Sequence, residues 1–169
     1  MIQTYYGNGK GKTTASVGAV VRFSGCSNKV IFAEFLKDDT SSEISILNAL
    51  GCVEVLCSDE CYKLYDNLNN DRTEVLTCAY TKLLECIKSK ACNVKMIVLD
   101  EVLDAIDFGY INEDYFISWL SSIKNSHEII LTGHKLTEKI AEISDYISEI
   151  KEIKHPYKKG ALPRKGIEF

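Results

Sequence analysis

The sequence predicts an α/β domain in which helices cover both faces of a mostly parallel β-sheet. Strand-like and helix-like patterns alternate along the 169 residues, which is typical of parallel sheets whose strands are joined by helices. Two strand-like segments, 29–36 and 94–101, are largely apolar, as strands buried on both faces are. A glycine-rich loop, YYGNGKGKTT at 5–14, separates the first strand from the first helix.

The first half of the chain is predicted to contain three strands and three helices. In the first helix, Ala15, Ala19, Val20 and Phe23 recur at helical spacing and Gly25 suits the helix end. The predicted elements are a strand at 1–6, a helix at 13–26, a strand at 29–36, a helix at 41–51, a strand at 52–57, a loop at 58–70 and a helix at 71–90.

The second and third helices are predicted from their ends and their apolar faces. Ser41 or Ser42 can cap the second helix with its hydroxyl, and Gly51 can end it. The inward face of the long third helix is predicted to consist of Leu76, Tyr80, Leu83 and Ile87.

In the second half of the chain, strand-like and helix-like segments continue to alternate. Leu136, Ile140 and Ile143 are expected to point inward from the last helix, and Trp119 is expected in the core. The final strand is expected at an edge because its apolar and polar residues alternate. The predicted elements are a strand at 94–101, a short helix from 102, a helix at 112–124, a strand at 127–133, a helix at 136–146 and a strand at 147–154.

Composition argues against several classes of function, although a local basic patch stays possible. The net charge of −4 gives no overall attraction to nucleic acid. No apolar run approaches the roughly 20 residues of a membrane span, and no secretion signal is visible, so a cytoplasmic protein is expected. Seven scattered cysteines indicate reduced thiols. The pair Cys57 and Cys61 allows a zinc site, but simple thiols are the stronger interpretation because no second ligand pair follows.

The glycine-rich loop is typical of a phosphate-binding P-loop. Glycines let successive backbone N–H groups turn toward an anion, and the following helix N-terminus adds further donors. Lys12 supplies a full positive charge, and the Thr13 hydroxyl is placed to ligate Mg²⁺. The residues expected to hold the nucleotide are Gly7, Asn8, Gly9, Lys10, Gly11, Lys12, Thr13 and Thr14.

The match to the pattern G-x-x-x-x-G-K-[ST] is incomplete. Tyr6 stands where the first glycine is expected, and Gly7 and Gly9 supply the flexibility from other positions. The alternative is a glycine-rich turn with lysines by chance. The strand before it and the Lys-Thr-Thr start of the helix favour the P-loop, and hence a P-loop NTPase-like (RecA-like) three-layer domain.

The second half of a nucleotide site is expected at the end of the strand MIVLDE. Two carboxylates after an apolar strand cost desolvation unless a cation or hydrogen bonds compensate them. Glu101 is the favoured Mg²⁺ ligand beside Thr13, with Asp100 as a direct or indirect partner. Alternatively, Asp100 caps the helix that follows. These residues indicate a Mg²⁺-nucleotide domain but do not choose a reaction.

Two further segments, ILTGH at 130–134 and KHPYKKGALPRKGIEF at 154–169, narrow the choice. Together with the loop they resemble the P-loop ATP:corrinoid adenosyltransferases of cobalamin synthesis and salvage, from residue 3 to residue 169. The ending is the most specific part. The matching residues outside the loop are Asp100, Glu101, Ala105 and Gly109, then Lys154, His155, Pro156, Tyr157, Gly160, Lys165, Gly166, Ile167 and Glu168.

This resemblance implies a reaction and its partners. The 5′-deoxyadenosyl group of ATP passes to the Co(I) centre of a corrinoid, either cobalamin or cob(I)yrinic acid a,c-diamide, and triphosphate leaves. It also implies Mg²⁺ or Mn²⁺, a cobalt-reducing partner and a possible homodimer, without nucleic acid or membrane. The chain is expected to be one domain at 1–169, with the basic tail 154–169 closing over the site.

The chain departs from the family at two positions. Family members often carry an aromatic-x-Trp pair against the corrin, whereas Tyr62 and Leu64 stand there in this chain. His134 occupies the place of a family arginine after LTG. A protonated imidazole keeps a phosphate contact there, and the alternative is an ordinary polar residue at a strand end.

Two basic residues complete the candidate site. Arg22 matches a family arginine that contacts nucleotide, with a solvent-facing helix residue as the alternative. Lys37 follows the second strand, where ligands of open α/β sheets bind.

Two other functions stay open. A P-loop kinase or ATPase needs an acceptor site and usually an arginine-bearing lid, yet arginines occur only at 22, 72 and 164. A non-catalytic nucleotide-binding module that handles corrinoid is the second alternative.

Overall fold

A computed structural model describes residues 1–26, 28–36, 41–58, 71–156, 160, 162 and 164–167, without the side chains of 71 and 72. The predicted loop at 58–70 therefore lies outside these residues beyond its first position. The strands are β1 (Ile2–Tyr6), β2 (Val30–Glu34), β3 (Val53–Cys57), β4 (Met96–Asp100), β5 (Glu128–Gly133) and β6 (Tyr146–Glu149). The helices are α1 (Lys12–Ser24), α2 (Ser42–Ala49), α3 (Asp71–Lys90), α4 (Val102–Asp107), α5 (Glu113–Ile123) and α6 (Glu138–Ile143), with a 3₁₀ turn at Ala91–Asn93.

The six strands form one sheet in the order β3-β2-β4-β5-β1-β6. Every neighbouring pair is parallel, so the carboxyl ends of all six strands lie at one edge of the sheet. This confirms the predicted α/β class, and the described sheet is wholly parallel. Because β5 lies between β1 and β4, the loop after β1 and the acids after β4 are two strands apart at that edge.

Two apolar clusters hold helices against the two faces of the sheet. One face packs against α3, α4, α5 and α6, with Tyr80, Phe116 and Leu120 among its buried side chains. The other packs against α1 and α2 through Val20 and Leu47. The predicted inward face of α3 is confirmed, since all four of its named residues are buried, and Trp119 packs against the first cluster.

The inward face of α1 contains three of the four predicted residues. Val20 is buried, and Ala19 and Phe23 pack against the second cluster, whereas Ala15 is exposed and Ser16 is buried. A serine can be buried here because its hydroxyl donates to the Thr13 carbonyl at 2.7 Å, which satisfies it inside the helix. Gly25 does follow the helix but keeps right-handed backbone, with φ −60°, so its conformational freedom is not used.

The last helix and last strand also have different bounds from those predicted. Helix α6 ends at Ile143, because the Ser144 hydroxyl donates to the Ile140 carbonyl at 2.7 Å and the Asp145 carboxylate accepts the Ile2 N–H at 2.7 Å. These contacts turn the chain into β6 beside β1. The strand stops at Glu149 and, as predicted, lies at an edge, with all four of its residues exposed.

Membrane insertion finds no support in the described helices. None of them combines the length and the apolar character that crossing a bilayer requires.

Candidate active site

Side chains from neighbouring strands form a row along the carboxyl edge of the sheet. Tyr5 of β1 is in register with Thr132 of β5, and Asp100 of β4 is in register with Glu34 of β2. A hydrogen bond of 2.7 Å from the Thr132 hydroxyl to Asp100 joins the two pairs, and Cys57 of β3 is in register with Glu34. This carboxyl-edge row (Tyr5, Thr132, Asp100, Glu34, Cys57) therefore runs from the glycine-rich loop to the far side of the sheet.

The glycine-rich loop is clamped between the segments that follow β5 and β6. The Gly7 N–H lies 3.2 Å from the carbonyls of Gly133 and His134, and the Gly9 N–H donates to the Ile150 carbonyl at 2.8 Å. Gly7 has φ +116°, and a Cβ added to it would lie 2.4 Å from the Ile150 oxygen. A side chain is therefore excluded at Gly7 both by backbone conformation and by space.

The loop leaves space where the helix begins. Gly11 also has a positive φ, +114°, but nothing lies within 4 Å of the place where its Cβ would be. Gly11 is the N-cap residue of α1 and, having no side chain, leaves the first N–H groups of the helix without a side-chain cap. Such donors together with the helix dipole favour a bound anion.

Lys12 lies across the loop. Its ammonium donates to the carbonyl of Gly7 at 2.7 Å and to that of Gly9 at 3.0 Å, which fixes the positive charge against the backbone of the loop. At the loop's outer side, the Asn8 side-chain oxygen accepts the Glu152 N–H at 3.0 Å. These contacts fix the Lys12 and Asn8 side chains relative to the loop backbone.

One further cation lies beside the loop. Lys151 follows β6 and pairs with Glu149 at 3.0 Å. That hydrogen bond raises the pKa of the Lys151 ammonium, so this group stays charged throughout the physiological range.

Asp100 is held by two hydroxyls. Its carboxylate accepts from Thr13 at 3.0 Å and from Thr132 at 2.7 Å, and it is fully buried. The Glu101 N–H donates to the Thr132 hydroxyl at 2.8 Å. The structure thus brings α1, β4 and β5 together at one carboxylate.

The alternative that Asp100 caps helix α4 is wrong. Glu101, not Asp100, is the N-cap residue, and its own side chain makes no cap hydrogen bond. Glu101 has left-handed backbone, with φ 59°, and its side chain is half-buried. Its assignment as a metal ligand stays a prediction.

The donor set around Asp100 fits Mg²⁺. The Thr13 hydroxyl and the Asp100 carboxylate are both oxygen ligands, which Mg²⁺ prefers, and they lie together at the mouth of the loop. Within the described part of the chain, no group of three or more His, Cys, Asp and Glu residues could hold a metal ion. Mg²⁺ usually takes one or two carboxylates and completes its shell with water and substrate phosphates, so this small set suffices.

His134 is held in place by Asp104, and its carbonyl contacts the glycine-rich loop. The His134 N–H donates to Asp104 at 3.0 Å, and its ring nitrogen Nδ1 lies 3.1 Å from the same carboxylate. The His134 carbonyl accepts from Gly7, while its side chain is 59% exposed. A phosphate contact by His134 stays a prediction.

Sequence reasoning missed two buried acids, Asp104 and Glu34. Asp104 is 6% exposed and Glu34 is 0% exposed. Both interrupt otherwise apolar patterns, in VLDAID and in KVIFAEFL. The available indication of a buried acid was its position inside an apolar pattern. Charged side chains are seldom fully buried unless they are paired, so such an acid marks a site to inspect.

One predicted site residue, Arg22, is not brought to the loop. Arg22 is exposed in the last turn of α1, ten residues and hence about 15 Å along the helix from Lys12. Lys37, Tyr62 and Leu64 lie outside the described residues, as do positions 157–159, 161, 163, 168 and 169 of the tail. Their roles stay predictions.

Comparison with known proteins gives a consistent picture over the whole chain. Residues 1–169 match the family model described as "ATP:corrinoid adenosyltransferase BtuR/CobO/CobP". The corrinoid adenosyltransferase of Escherichia coli (strain K12) is 26% identical over 173 residues, covering 100% of this chain and 85% of that protein. The corrinoid adenosyltransferase of Sinorhizobium sp. is 27% identical over 172 residues, covering 96% and 77%.

A solved structure, the cytoplasmic domain of EssC, shares the fold. It aligns with a TM-score of 0.58 at 12% identity, over 97% of this chain and 33% of that one. At this identity the likeness concerns the fold alone.

Proposed function

The chain belongs to the ATP:corrinoid adenosyltransferase family, and we propose that it transfers the 5′-deoxyadenosyl group of ATP to the Co(I) centre of a corrinoid. The cobalt electron pair forms a bond to C5′ of the ribose. The bond between C5′ and the α-phosphate oxygen breaks, and its electrons leave with the triphosphate. Cobalt passes formally from Co(I) to Co(III). Cobalamin and cob(I)yrinic acid a,c-diamide are the proposed acceptors.

The family match over residues 1–169 carries this proposal, and the arrangement of Lys12 over the loop supports its leaving-group step. The Lys12 ammonium is fixed 2.7 Å from the Gly7 carbonyl, next to the start of α1, whose N-cap residue makes no side-chain cap. A triphosphate leaving group is a polyanion, so preorganised donors at this place stabilise the charge that develops as the C5′–O bond breaks.

The residues proposed to hold the metal are Thr13 and Asp100, with Glu101 beside them. Their support is the 3.0 Å hydrogen bond between the Thr13 hydroxyl and the buried Asp100 carboxylate. Bound Mg²⁺ or Mn²⁺ supplies charge neutralisation for the triphosphate. Thr132 is a positioning residue, because its hydroxyl fixes the second Asp100 oxygen and also accepts the Glu101 N–H.

No activated protein nucleophile is required in this scheme. Co(I) is already strongly nucleophilic, so the chain's task is to align cobalt with C5′ and exclude competing acceptors. Such alignment can remove about 7–11 kcal/mol of a barrier. We place Tyr62 and Leu64 at the corrin face and Lys37 near the substrates on the resemblance alone.

The setting of the reaction is proposed from its chemistry. Co(I) is reached only by reduction, so a cobalt-reducing partner must precede this step. The cytoplasm keeps both ATP and reducing equivalents, which makes it the proposed location. A homodimer stays a prediction of the resemblance.

Product analysis tests the function. Protein, MgATP and chemically reduced cobalamin are mixed, and absorbance, light sensitivity and phosphate products are followed. The proposal expects a light-sensitive corrinoid and triphosphate in equal amounts. Orthophosphate or diphosphate as the primary product, or ATP turnover without corrinoid, contradicts it.

A further inference from the structure

Two non-glycine residues with left-handed backbone follow neighbouring strands at the carboxyl edge of the sheet. Among the described residues, the non-glycine residues with positive φ are Leu36, at 55°, and Glu101, at 59°. Leu36 comes two residues after β2, and Glu101 comes directly after β4, the neighbour of β2 in the sheet. Left-handed backbone strains a leucine or a glutamate, and it persists only where surrounding contacts hold it.

In both places a buried side-chain hydroxyl accepts the N–H of the strained residue. The Glu101 N–H donates to the Thr132 hydroxyl at 2.8 Å, and the Leu36 N–H donates to the Tyr80 hydroxyl at 3.0 Å. Thr132 and Tyr80 are both fully buried. Tyr80 therefore holds the chain after β2 in the same way as Thr132 holds the chain after β4.

The ring of Tyr80 and its hydroxyl have separate partners. The ring packs in the core, where its centroid lies 5.4 Å from that of Phe35 and 5.9 Å from that of Tyr110. The hydroxyl extends to the Leu36 N–H. Removal of the hydroxyl alone, as in Tyr80→Phe, thus keeps the ring contacts and takes away the contact with the strained residue.

The end of β2 is joined to the candidate metal site through its backbone. The Phe35 N–H donates to the Asp100 carbonyl at 2.9 Å, and Leu36 is the next residue along the chain. Asp100 is therefore held from two sides. Its carboxylate accepts from Thr13 and Thr132, and its carbonyl accepts from the end of β2.

We propose that Tyr80 is a positioning residue of the nucleotide and metal site. Its hydroxyl holds Leu36 in left-handed backbone, which keeps the Phe35 N–H on the Asp100 carbonyl and so keeps the Asp100 carboxylate in place for the cation. The inference rests on the proposed function, because it takes Asp100 as a ligand of the cation that accompanies ATP. A tyrosine of α3 thereby takes part in substrate binding without touching the substrate.

Tyr80→Phe tests the hydroxyl in the folded protein. The Mn²⁺ concentration for half-saturation, measured by electron paramagnetic resonance with ATP present, should rise about fivefold, the factor to which one hydrogen bond corresponds. In the protein without ligands, hydrogen exchange of the Leu36 amide should become about tenfold faster, because its acceptor is gone. An unchanged metal titration overturns the proposal, whatever happens to the stability.

Glycine at position 36 separates the release of strain from the loss of packing. Glycine adopts left-handed backbone without strain, so Tyr80→Phe should change the Mn²⁺ half-saturation less than about twofold when Leu36→Gly is also present. Equal losses with leucine and with glycine at this position overturn the proposal, because strain then plays no part.

Thr4→Val is the matched control for stability. It removes a buried hydroxyl that forms a 2.8 Å hydrogen bond with Ser144, in the middle of β1. It should lower the stability as Tyr80→Phe does, yet leave Mn²⁺ binding as in the wild-type protein. Equal weakening of Mn²⁺ binding by both variants overturns the proposal, since general destabilisation then accounts for the effect.

Metal binding also separates this inference from the proposed function, because it needs neither corrinoid nor turnover. If the wild-type protein binds Mn²⁺ with ATP but forms no light-sensitive corrinoid, the proposed function fails, and a fivefold effect of Tyr80→Phe still supports the inference. If adenosylation proceeds and the Tyr80→Phe protein binds Mn²⁺ as the wild type does, the inference fails and the function stands. Absence of Mn²⁺ binding by the wild-type protein overturns the inference.

Discussion

Replacement of Gly7 by alanine tests whether the glycine-rich loop is locked by the segment after β6. The added Cβ would lie 2.4 Å from the Ile150 carbonyl oxygen, and contacts under 3.0 Å force a shift. The required movement is therefore at least 0.6 Å, the difference between 3.0 and 2.4 Å. The same oxygen accepts the Gly9 N–H at 2.8 Å, so this hydrogen bond is lost or stretched.

The expected cost follows from two terms. A non-glycine residue in left-handed backbone costs about 1–2 kcal/mol, and one net hydrogen bond is worth about 0.5–1.5 kcal/mol. Gly7→Ala should thus lower the free energy of unfolding by about 1.5–3.5 kcal/mol, or the Tm by about 3–14 °C for a domain of this size. It should also weaken MgATP binding, because the loop amides move.

Two other glycines provide matched controls. Gly11→Ala carries the same backbone strain but meets nothing within 4 Å, so only the first term of about 1–2 kcal/mol applies. Gly18 lies inside α1 with open space around its missing side chain, and Gly18→Ala should stabilise by up to about 1 kcal/mol. Urea unfolding without nucleotide measures all three variants. A Gly7→Ala protein as stable as the Gly11→Ala protein would refute the proposed lock.

The remaining predictions concern the charge, the metal and the core. Lys12→Ala should abolish most triphosphate release while costing about 1–3 kcal/mol of stability, and Lys82→Ala, which removes an exposed lysine of α3, should keep most activity in the same assay. Thr13→Val should raise the Mn²⁺ concentration for half-saturation about tenfold, measured by electron paramagnetic resonance with ATP present. Asp100→Ala should lose more metal affinity than Thr13→Val and also unfold at lower urea, because two buried hydroxyls lose their acceptor. Phe116→Ala should cost about 3–5 kcal/mol by urea unfolding without changing the KM for ATP, since its side chain is 1% exposed and lies in the core.

Much of the fold could be predicted because the amino-acid composition of the central strands indicates that they are buried. MIVLD and VIFAE are buried throughout, and such apolar runs identify strands covered on both faces. Element ends were harder to predict. Helix α6 ends early because Ser144 and Asp145 bind Ile140 and Ile2, and the contact with Ile2 comes from a residue 143 positions away. No local pattern contains that information.

In the candidate site too, the residues of the motif could be predicted, whereas the residues that contact them could not. The loop, Lys12, Thr13 and Asp100 follow from a motif whose spacing is set by backbone geometry. The partners that hold them, Thr132 and Ile150, act across the sheet and leave no mark near the motif.

The carboxyl-edge row explains why one sheet edge can serve two unlike substrates. In a parallel sheet all strands end at the same edge, so residues far apart in sequence become neighbours about 4.8 Å apart. Here the order β1-β5-β4-β2-β3 places the glycine-rich loop at one end, the buried acids Asp100 and Glu34 in the middle, and the end of β3 at the other end. Under the proposed function, the triphosphate lies at the first end and its cation at the middle, which leaves the far end of the same edge for the larger substrate.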